Sequence, residues 1–298
     1  MNRRRLENLL ASKIMFSTTI LSGLIVFIIA FALFQRSTLI LTTESMSELL
    51  FSSSWHPWKG EFGFYPFIVG TLLVTAIAMI LSAPPSLLMS IYLAEYAPVK
   101  VRGIIKPMVD LLAGIPSVVC GLWGLLLVVP LIRDYIAPLG GVTTTGYSVL
   151  AGGIVLAIMV SPIIISISEE VIRTVPQQVR EASMALGATK WQTVKHVVLR
   201  SAFPGIIAAI ILGFGRAFGE TMAVLMVVGN VPKVPSSLFD SAYPLPALIA
   251  NNYGEMMSIP LYDSALMLAA LILLLVVLVF SFVAGILLVG IKRRFTLG

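Results

Sequence analysis

The sequence predicts an all-α polytopic membrane protein with six transmembrane helices. Three observations carry that reading. Of 298 residues, 58% are apolar and only 11% are charged, where a soluble domain carries about 25%. The mean hydropathy is +1.00. Six stretches are each long and apolar enough to cross a hydrocarbon layer of about 30 Å, which takes about 20 residues of helix. As a soluble enzyme, a disordered chain or a coiled coil, this sequence would leave too much apolar surface in water.

In chain order the stretches are Ile14–Phe34, Pro66–Tyr92, Met108–Ile132, Ser148–Ser168, Pro204–Val228 and Ala265–Ile291. The first follows Arg3, Arg4 and Arg5, as a signal peptide would. Its Ala30-Phe31-Ala32 lies inside the apolar run, however, and the run exceeds an ordinary signal core. It reads as an uncleaved span. Pro84, Pro85, Pro116, Pro130 and Pro162 interrupt several spans. Broken helices are tolerated in membranes where protein or a cavity covers them, so a pathway-forming bundle and simple kinking both fit.

Lysine and arginine set the orientation. With the N-terminus in the cytoplasm, 15 of the 20 basic residues fall in inside segments. Only Arg36, Lys59, Arg133 and Lys233 fall outside, and Arg216 lies within a span. Such a split places both termini of a multi-pass cell-membrane protein inside. The net charge of +6 is thus a topology signal, with no nucleic-acid partner implied; membrane lipids are the surroundings. The expected organisation is a cytoplasmic N-terminus (1–13), a first transmembrane helix (14–34), an external loop (35–65), a five-helix core (66–291) containing a cytoplasmic loop at 169–203, and a cytoplasmic C-terminus (292–298). The external loops hold Trp55, Trp58, Tyr65, Tyr243 and Tyr253. These rings suit interfacial anchoring or the docking of an external partner.

Catalytic machinery is absent from the sequence. It has no Gly-Lys dipeptide, so it has no Walker A loop, and ATP hydrolysis would belong to another chain. His56 and His196 are the only histidines, too few for a histidine-rich zinc site, and Cys120 is a lone cysteine. The ionisable residues of the spans are Arg216 and Glu220, with Asp110 nearer a helix end. A membrane-embedded hydrolase or protease would need more.

The most informative segment is 169–203. Thr174-Val175-Pro176-Gln177 and Thr189-Lys190-Trp191-Gln192 both match the Ser/Thr-x-x-Gln capping box. Val179, Ala182 and Leu186, then Trp191, Val194 and Val198, recur at helical spacing, with Gly187 suited to a helix stop between them. Two short amphipathic helices joined at a glycine follow. They either rest on lipid headgroups or insert into a groove of a cytoplasmic partner.

Glu181-Ala182-Ser183, Gly187 three residues on, and Val197-Val198-Leu199 after nine more resemble the EAA loop of ABC importer permeases. Ser183 replaces the second alanine and Arg200 the usual proline. The resemblance extends to Gly70-Thr71-Leu72, Ile91-Tyr92-Leu93-Ala94-Glu95-Tyr96-Ala97-Pro98, Leu112-Ala113-Gly114-Ile115-Pro116-Ser117-Val118-Val119 and Gly215-Arg216-Ala217-Phe218-Gly219-Glu220-Thr221-Met222-Ala223. These are similar to the phosphate-specific subgroup, nearer its PstC-type than its PstA-type subunit, from about Tyr65 to the C-terminus. The resemblance implies the type I ABC importer permease fold and a non-catalytic permease subunit. It implies as partners a PstA-type second permease, a dimer of PstB-type subunits that bind ATP and Mg, and an extracytoplasmic PstS-type phosphate-binding protein. No cofactor is expected in this chain. Glu181, Ala182, Ser183, Gly187 and Ala188 would couple to the ATPase, and Arg216, Glu220 and Thr221 would line the translocation path. A permease for sulfate, molybdate or an organic solute, or the PstA-type partner itself, are the alternatives.

Arg216 and Glu220 are expected on one face, since residues four apart share a helix side and can pair across a turn. Ala209, Gly213, Ala223 and Val227 would continue that face with small residues. An intramembrane arginine costs at least about 2.5–3.5 kcal/mol on insertion scales, so the pair is either a structural lock or an anion path.

The topology has a direct check. Cysteines at Ser53 and Ser236 should react with an impermeant thiol reagent added outside intact cells, and one at Thr189 should stay unlabelled until the membrane is opened. The opposite labelling pattern excludes the proposed orientation.

Overall fold

The computed structural model describes residues 3–254 and 258–296 and is helical apart from one small hairpin. Residues 1–2 and 297–298 of the expected terminal segments lie outside the described residues. α1 (Arg3–Arg36) is followed by α2 (Thr38–Thr43), α3 (Met46–Phe51) and the antiparallel strands β1 (Trp55–His56) and β2 (Glu61–Phe62). Then come α4 (Tyr65–Tyr96), α5 (Val99–Ala113), α6 (Ser117–Leu139) and α7 (Val149–Thr174). α8 (Gln177–Ala185), α9 (Lys190–Phe218), α10 (Met222–Val227), α11 (Leu245–Asn252) and α12 (Pro260–Thr296) complete the chain. Among the described residues, α1, α4, α6, α7, α9 and α12 contain the six stretches long and apolar enough to cross a membrane.

Two of the expected spans are displaced. Met108–Ile132 is not one helix: α5 ends at Ala113, and Pro116, with extended backbone (ψ 140°), opens α6. A residue ahead of proline is pushed out of the α region, so the chain breaks at 114–116 and the third span becomes Ser117–Leu139. The fifth span is Lys190–Phe218 in place of Pro204–Val228. The helix runs through Pro204 without stopping and takes one π-type turn at Val194–Val198 on the way. The second helix of the loop is therefore continuous with the span instead of being a separate short helix. It stops at Gly219, and Glu220 and Thr221 lead into the short α10.

One of the two expected capping boxes forms. Gln192 N–H donates to Thr189 Oγ1 (3.3 Å) and Thr189 N–H to Gln192 Oε1 (2.8 Å), so α9 starts with both partners in place. The other does not. Thr174 lies in the last turn of α7 and its hydroxyl donates to Val171 O (2.7 Å), while Pro176 precedes α8. α7 simply runs one turn further than its apolar stretch.

Three turns, one at the end of α4 and two within α6, widen just before a proline. Ala97 N–H reaches Tyr92 O, Val129 N–H reaches Gly124 O and Ala137 N–H reaches Ile132 O, each five residues back and each followed by Pro98, Pro130 or Pro138. A proline ring collides with the carbonyl four residues behind it. One π-type turn moves that carbonyl away while keeping the backbone satisfied.

The core is the contact of α4 with α7, with α9 packed against α7 from another side. Val74 and Ala78, Leu156, Val160 and Ile164, and Ala217 form its buried centre. Glycine sets the spacing: a β-carbon at Gly153 would lie 2.4 Å from Ile77 Cγ2. Outside this centre, α12 packs on α1, α9 and α11. Apolar side chains of α1 are exposed, Phe27 to 76%, the surface a lipid phase covers.

Residues 35–65 fold into a cap. Phe62, Phe64 and Phe67 are buried, and Trp55 packs edge-on against Phe67 (4.7 Å between centroids) and Phe62 (5.4 Å). Trp55 is thus partly buried and packed against the core, whereas Trp58 is exposed. His56 Nδ1 lies 3.2 Å from Glu61 Oε2 on the cap surface. Residues 229–244 close the same end: Val149 N–H donates to Asp240 O (2.9 Å) and Leu150 N–H to Leu238 O (3.0 Å). The Asp240 carboxylate accepts from the Ser236 hydroxyl and the Ser236 and Ser237 amides, which holds its pKa below the ordinary value.

The glycine spacing is testable. Gly153→Val should lower the thermal stability of the purified protein by about 1–3 kcal/mol, as overpacking does. Gly23→Val, on the open side of α1 where a β-carbon meets nothing, should leave it unchanged. Equal melting temperatures for the two variants would contradict this packing.

Candidate coupling loop and translocation site

The candidate coupling hairpin is built from α8, a turn at Leu186–Thr189 and the first turns of α9. Gly187 has φ +87°, and its N–H donates to Met184 O (2.9 Å) while Ala188 N–H donates to Ser183 O (3.3 Å). A β-carbon at Gly187 would meet open space. Positive φ, and not a close approach of two helices, is thus what requires glycine here. Ser183, in the place of the motif's second alanine, shares a hydroxyl hydrogen bond with Thr193 (3.0 Å) that links the two arms.

α8 contains no buried residue. Glu181 and Ala182 face outward, and Leu186 is 90% exposed beside exposed Val179, Met184 and Trp191. An apolar patch on an otherwise polar hairpin marks an interaction surface. Lys190 Nζ sits 4.7 Å from the centre of the Tyr96 ring, a cation–π contact between the hairpin and the end of α4.

Charges collect at this end of the bundle. The Glu169 side chain is only 2% exposed, with Arg102 Nε at 2.9 Å, Lys106 Nζ at 3.2 Å and Arg173 at 3.7 Å. It holds α5 against α7. Glu95, at the end of α4, meets Arg180 of α8 at 2.8 Å. A cleft of ≈ 660 Å³ lies beside that pair, with Arg173, Gln177 and Lys190 among its walls. Sequence reasoning missed both networks because their partners are distant in the chain, 85 residues apart for Glu95 and Arg180. The available signal was a carboxylate at each end of an apolar span.

Arg216 and Glu220 occupy the other end of α9. Arg216 lies in its last turn and is exposed; Glu220 is half-buried after the break, where Ala223 N–H approaches its Oε1 at 3.5 Å. Thr221 sits between them and α10, its hydroxyl donating to Gly219 O (3.3 Å). Among the described residues no ion pair joins Arg216 to Glu220. The expected pairing fails because the helix that would have put them on one face ends at Phe218. The small-residue stripe also diverges: Ala209 and Gly213 are buried and lead to Ala217, not to Arg216, and a β-carbon at Gly213 would strike Ile164 of α7 (2.8 Å). Ala223 packs instead against Gly121 of α6. Arg216 is therefore exposed at the end of α9. At 1.5 Å per residue it stands roughly 39 Å along α9 from Lys190.

Proteins similar to this chain are named as transport permeases or ABC transporters. A permease protein of Bacillus subtilis described as a probable ABC transporter permease, YqgH, is 39% identical over 78% of this chain and 76% of its own length. The phosphate transport system permease protein PstC of Xylella fastidiosa is 38% identical over 82% of this chain and 79% of its own. A crystal structure of a bacterial ABC transporter involved in alginate import shares the fold with TM-score 0.61 at 14% identity, covering 97% of this chain and 99% of that one. The MetNI methionine ABC transporter shares it with TM-score 0.57 at 20% identity, over 74% and 93%. Residues 86–296 match the family described as "Binding-protein-dependent transport system inner membrane component". This chain, with its six membrane-spanning helices, belongs to that family of inner membrane transport components.

Proposed function

We propose that this chain is the permease half of an ATP-driven importer of inorganic phosphate. The observation that carries the substrate is the 38% identity, over most of both chains, with a protein named as a phosphate transport permease. In this reading a second, PstA-type permease completes the path, a PstB-type dimer supplies ATP hydrolysis with its own ATP and Mg, and a PstS-type protein delivers phosphate from outside. Both termini face the cytoplasm, in keeping with the distribution of Lys and Arg.

Arg216 supports the anion path. An exposed guanidinium at the end of a span is available to the second permease or to the solute between them. Its planar fork suits phosphate oxygens. Glu220 and the Thr221 hydroxyl, just beyond the helix break, would border the same space. The carboxylate offsets the cation when no anion is present and keeps binding weak enough for release. At the opposite end the apolar patch around Leu186 and Trp191, together with Glu181, Ala182, Ser183, Gly187 and Ala188, forms the docking knob for the ATP-binding subunit. α9 joins the two ends as one continuous helix.

Two measurements test this. In vesicles carrying the assembled complex, Arg216→Gln should reduce phosphate uptake by about tenfold or more, the loss of one charge-assisted hydrogen bond at about 1.5–3 kcal/mol, with assembly unchanged. Normal uptake by that variant removes the path role, and transport of sulfate or molybdate in place of phosphate removes the substrate. Leu186→Asp should release the ATP-binding subunit from a membrane-inserted permease pair. Full retention of that subunit would leave the hairpin as a lipid-facing element only.

A further inference from the structure

α8 is the arm of the hairpin with least hold on the protein. None of its residues is buried, so burial of apolar surface does little to keep it in place. What reaches inward is Arg180. Its Nη2 lies 2.8 Å and its Nε 3.1 Å from Glu95 Oε1, Nη2 donates to Ile172 O (2.9 Å), and Nη1 donates to Val175 O. The two side chains are 12% and 7% exposed. One guanidinium thus joins three elements: α8 that carries it, the carboxylate at the end of α4, and the last carbonyls of α7, where a helix C-terminus favours a cation.

Its carboxylate partner stands in an unusual place. Glu95 lies in the π-type turn Tyr92–Tyr96 that ends α4, geometry that often marks a functional position within a helix. The other arm of the hairpin reaches the same turn independently, through Lys190 over the Tyr96 ring. Both arms therefore grip one turn of α4. α4 is the helix that packs most extensively on α7 at the centre of the bundle.

We propose that Arg180 is a positioning residue, and Glu95 its counterpart, which fasten the coupling hairpin to the end of α4 so that movement of the docked hairpin is passed to the bundle. Arginine suits the task because its planar fork spreads donors over three nitrogens in fixed directions, towards a carboxylate and two carbonyls, whereas lysine's donors all radiate from one atom. The proposal rests on the coupling role of the hairpin, and it adds the route by which force leaves it. Without the pair, α8 stays docked to the ATP-binding subunit but slides relative to α4.

The test is the amount of phosphate transported per ATP hydrolysed by the reconstituted complex. Glu95→Gln and Arg180→Gln should each keep the ATP-binding subunits bound and hydrolysing, while phosphate moved per ATP falls about tenfold. The double variant should be no worse than either single one, since members of one interaction are not additive. Arg180→Lys keeps the buried charge balanced, guards against misfolding of the glutamine variants, and should give an intermediate ratio. A wild-type ratio in Arg180→Lys or in both glutamine variants overturns the proposal. So does a loss of transport that only follows the loss of folded complex on a melting curve. Failure of the coupling reading itself is separate: there, Leu186→Asp would leave the ATP-binding subunit bound.

Discussion

In hydrocarbon, a backbone N–H or C=O without a partner costs several kcal/mol, and the whole architecture answers to that. The six spans have to be helices, and each departure from helix has to be covered. Ahead of Pro98, Pro130 and Pro138 the chain widens one turn and keeps its hydrogen bonds. The two outright breaks, at 114–116 and 219–221, fall at the ends of helices. The second is where Arg216, Glu220 and Thr221 stand. A helix that must stop in a membrane protein creates a place where polar groups can gather, and that is where the polar residues of this region are found.

The apolar and the charged parts of the molecule do different work. Between α4, α7 and α9 the contacts are aliphatic and are set by glycines such as Gly153, since lipid tails compete with any merely apolar surface and close fit has to supply the attraction. At the hairpin end, charge takes over. Glu169 holds α5 to α7 through Arg102 and Lys106, and Glu95 holds α8 through Arg180. A buried carboxylate deprived of its cation is strongly destabilising, so each of these pairs fixes one arrangement. The hairpin is consequently polar, precisely anchored in two places, and still presents an apolar patch to a partner.

α9 connects these regimes. It begins with the capping box at Thr189 and Gln192, crosses the bundle against α7, and ends beside Arg216. The helix passes Pro204 without a break and takes one π-type turn at Val194–Val198, so the hairpin and the end that carries Arg216 belong to one continuous helix.

Sequence by itself determined the class: composition and segment length imposed six helices. It also determined the second hairpin helix start, because the cap of Thr189 needs only neighbours three residues away, and the positive φ at Gly187. Tertiary structure decided what local pattern could not. Thr174 matched a capping box as well as Thr189 did, but α7 ran through it to Thr174 and took its hydroxyl. Arg216 and Glu220 matched a same-face pair, yet spacing of four has that meaning only inside a continuous helix, and the chain ends its helix at Phe218. Trp55 read as an interfacial ring and is packed among Phe62, Phe67 and Tyr262. The ion pairs were invisible for the same reason: an attraction between Glu95 and Arg180 depends on distance in space, and only the packing of α4, α7 and α8 brings residues so far apart in the chain to 2.8 Å.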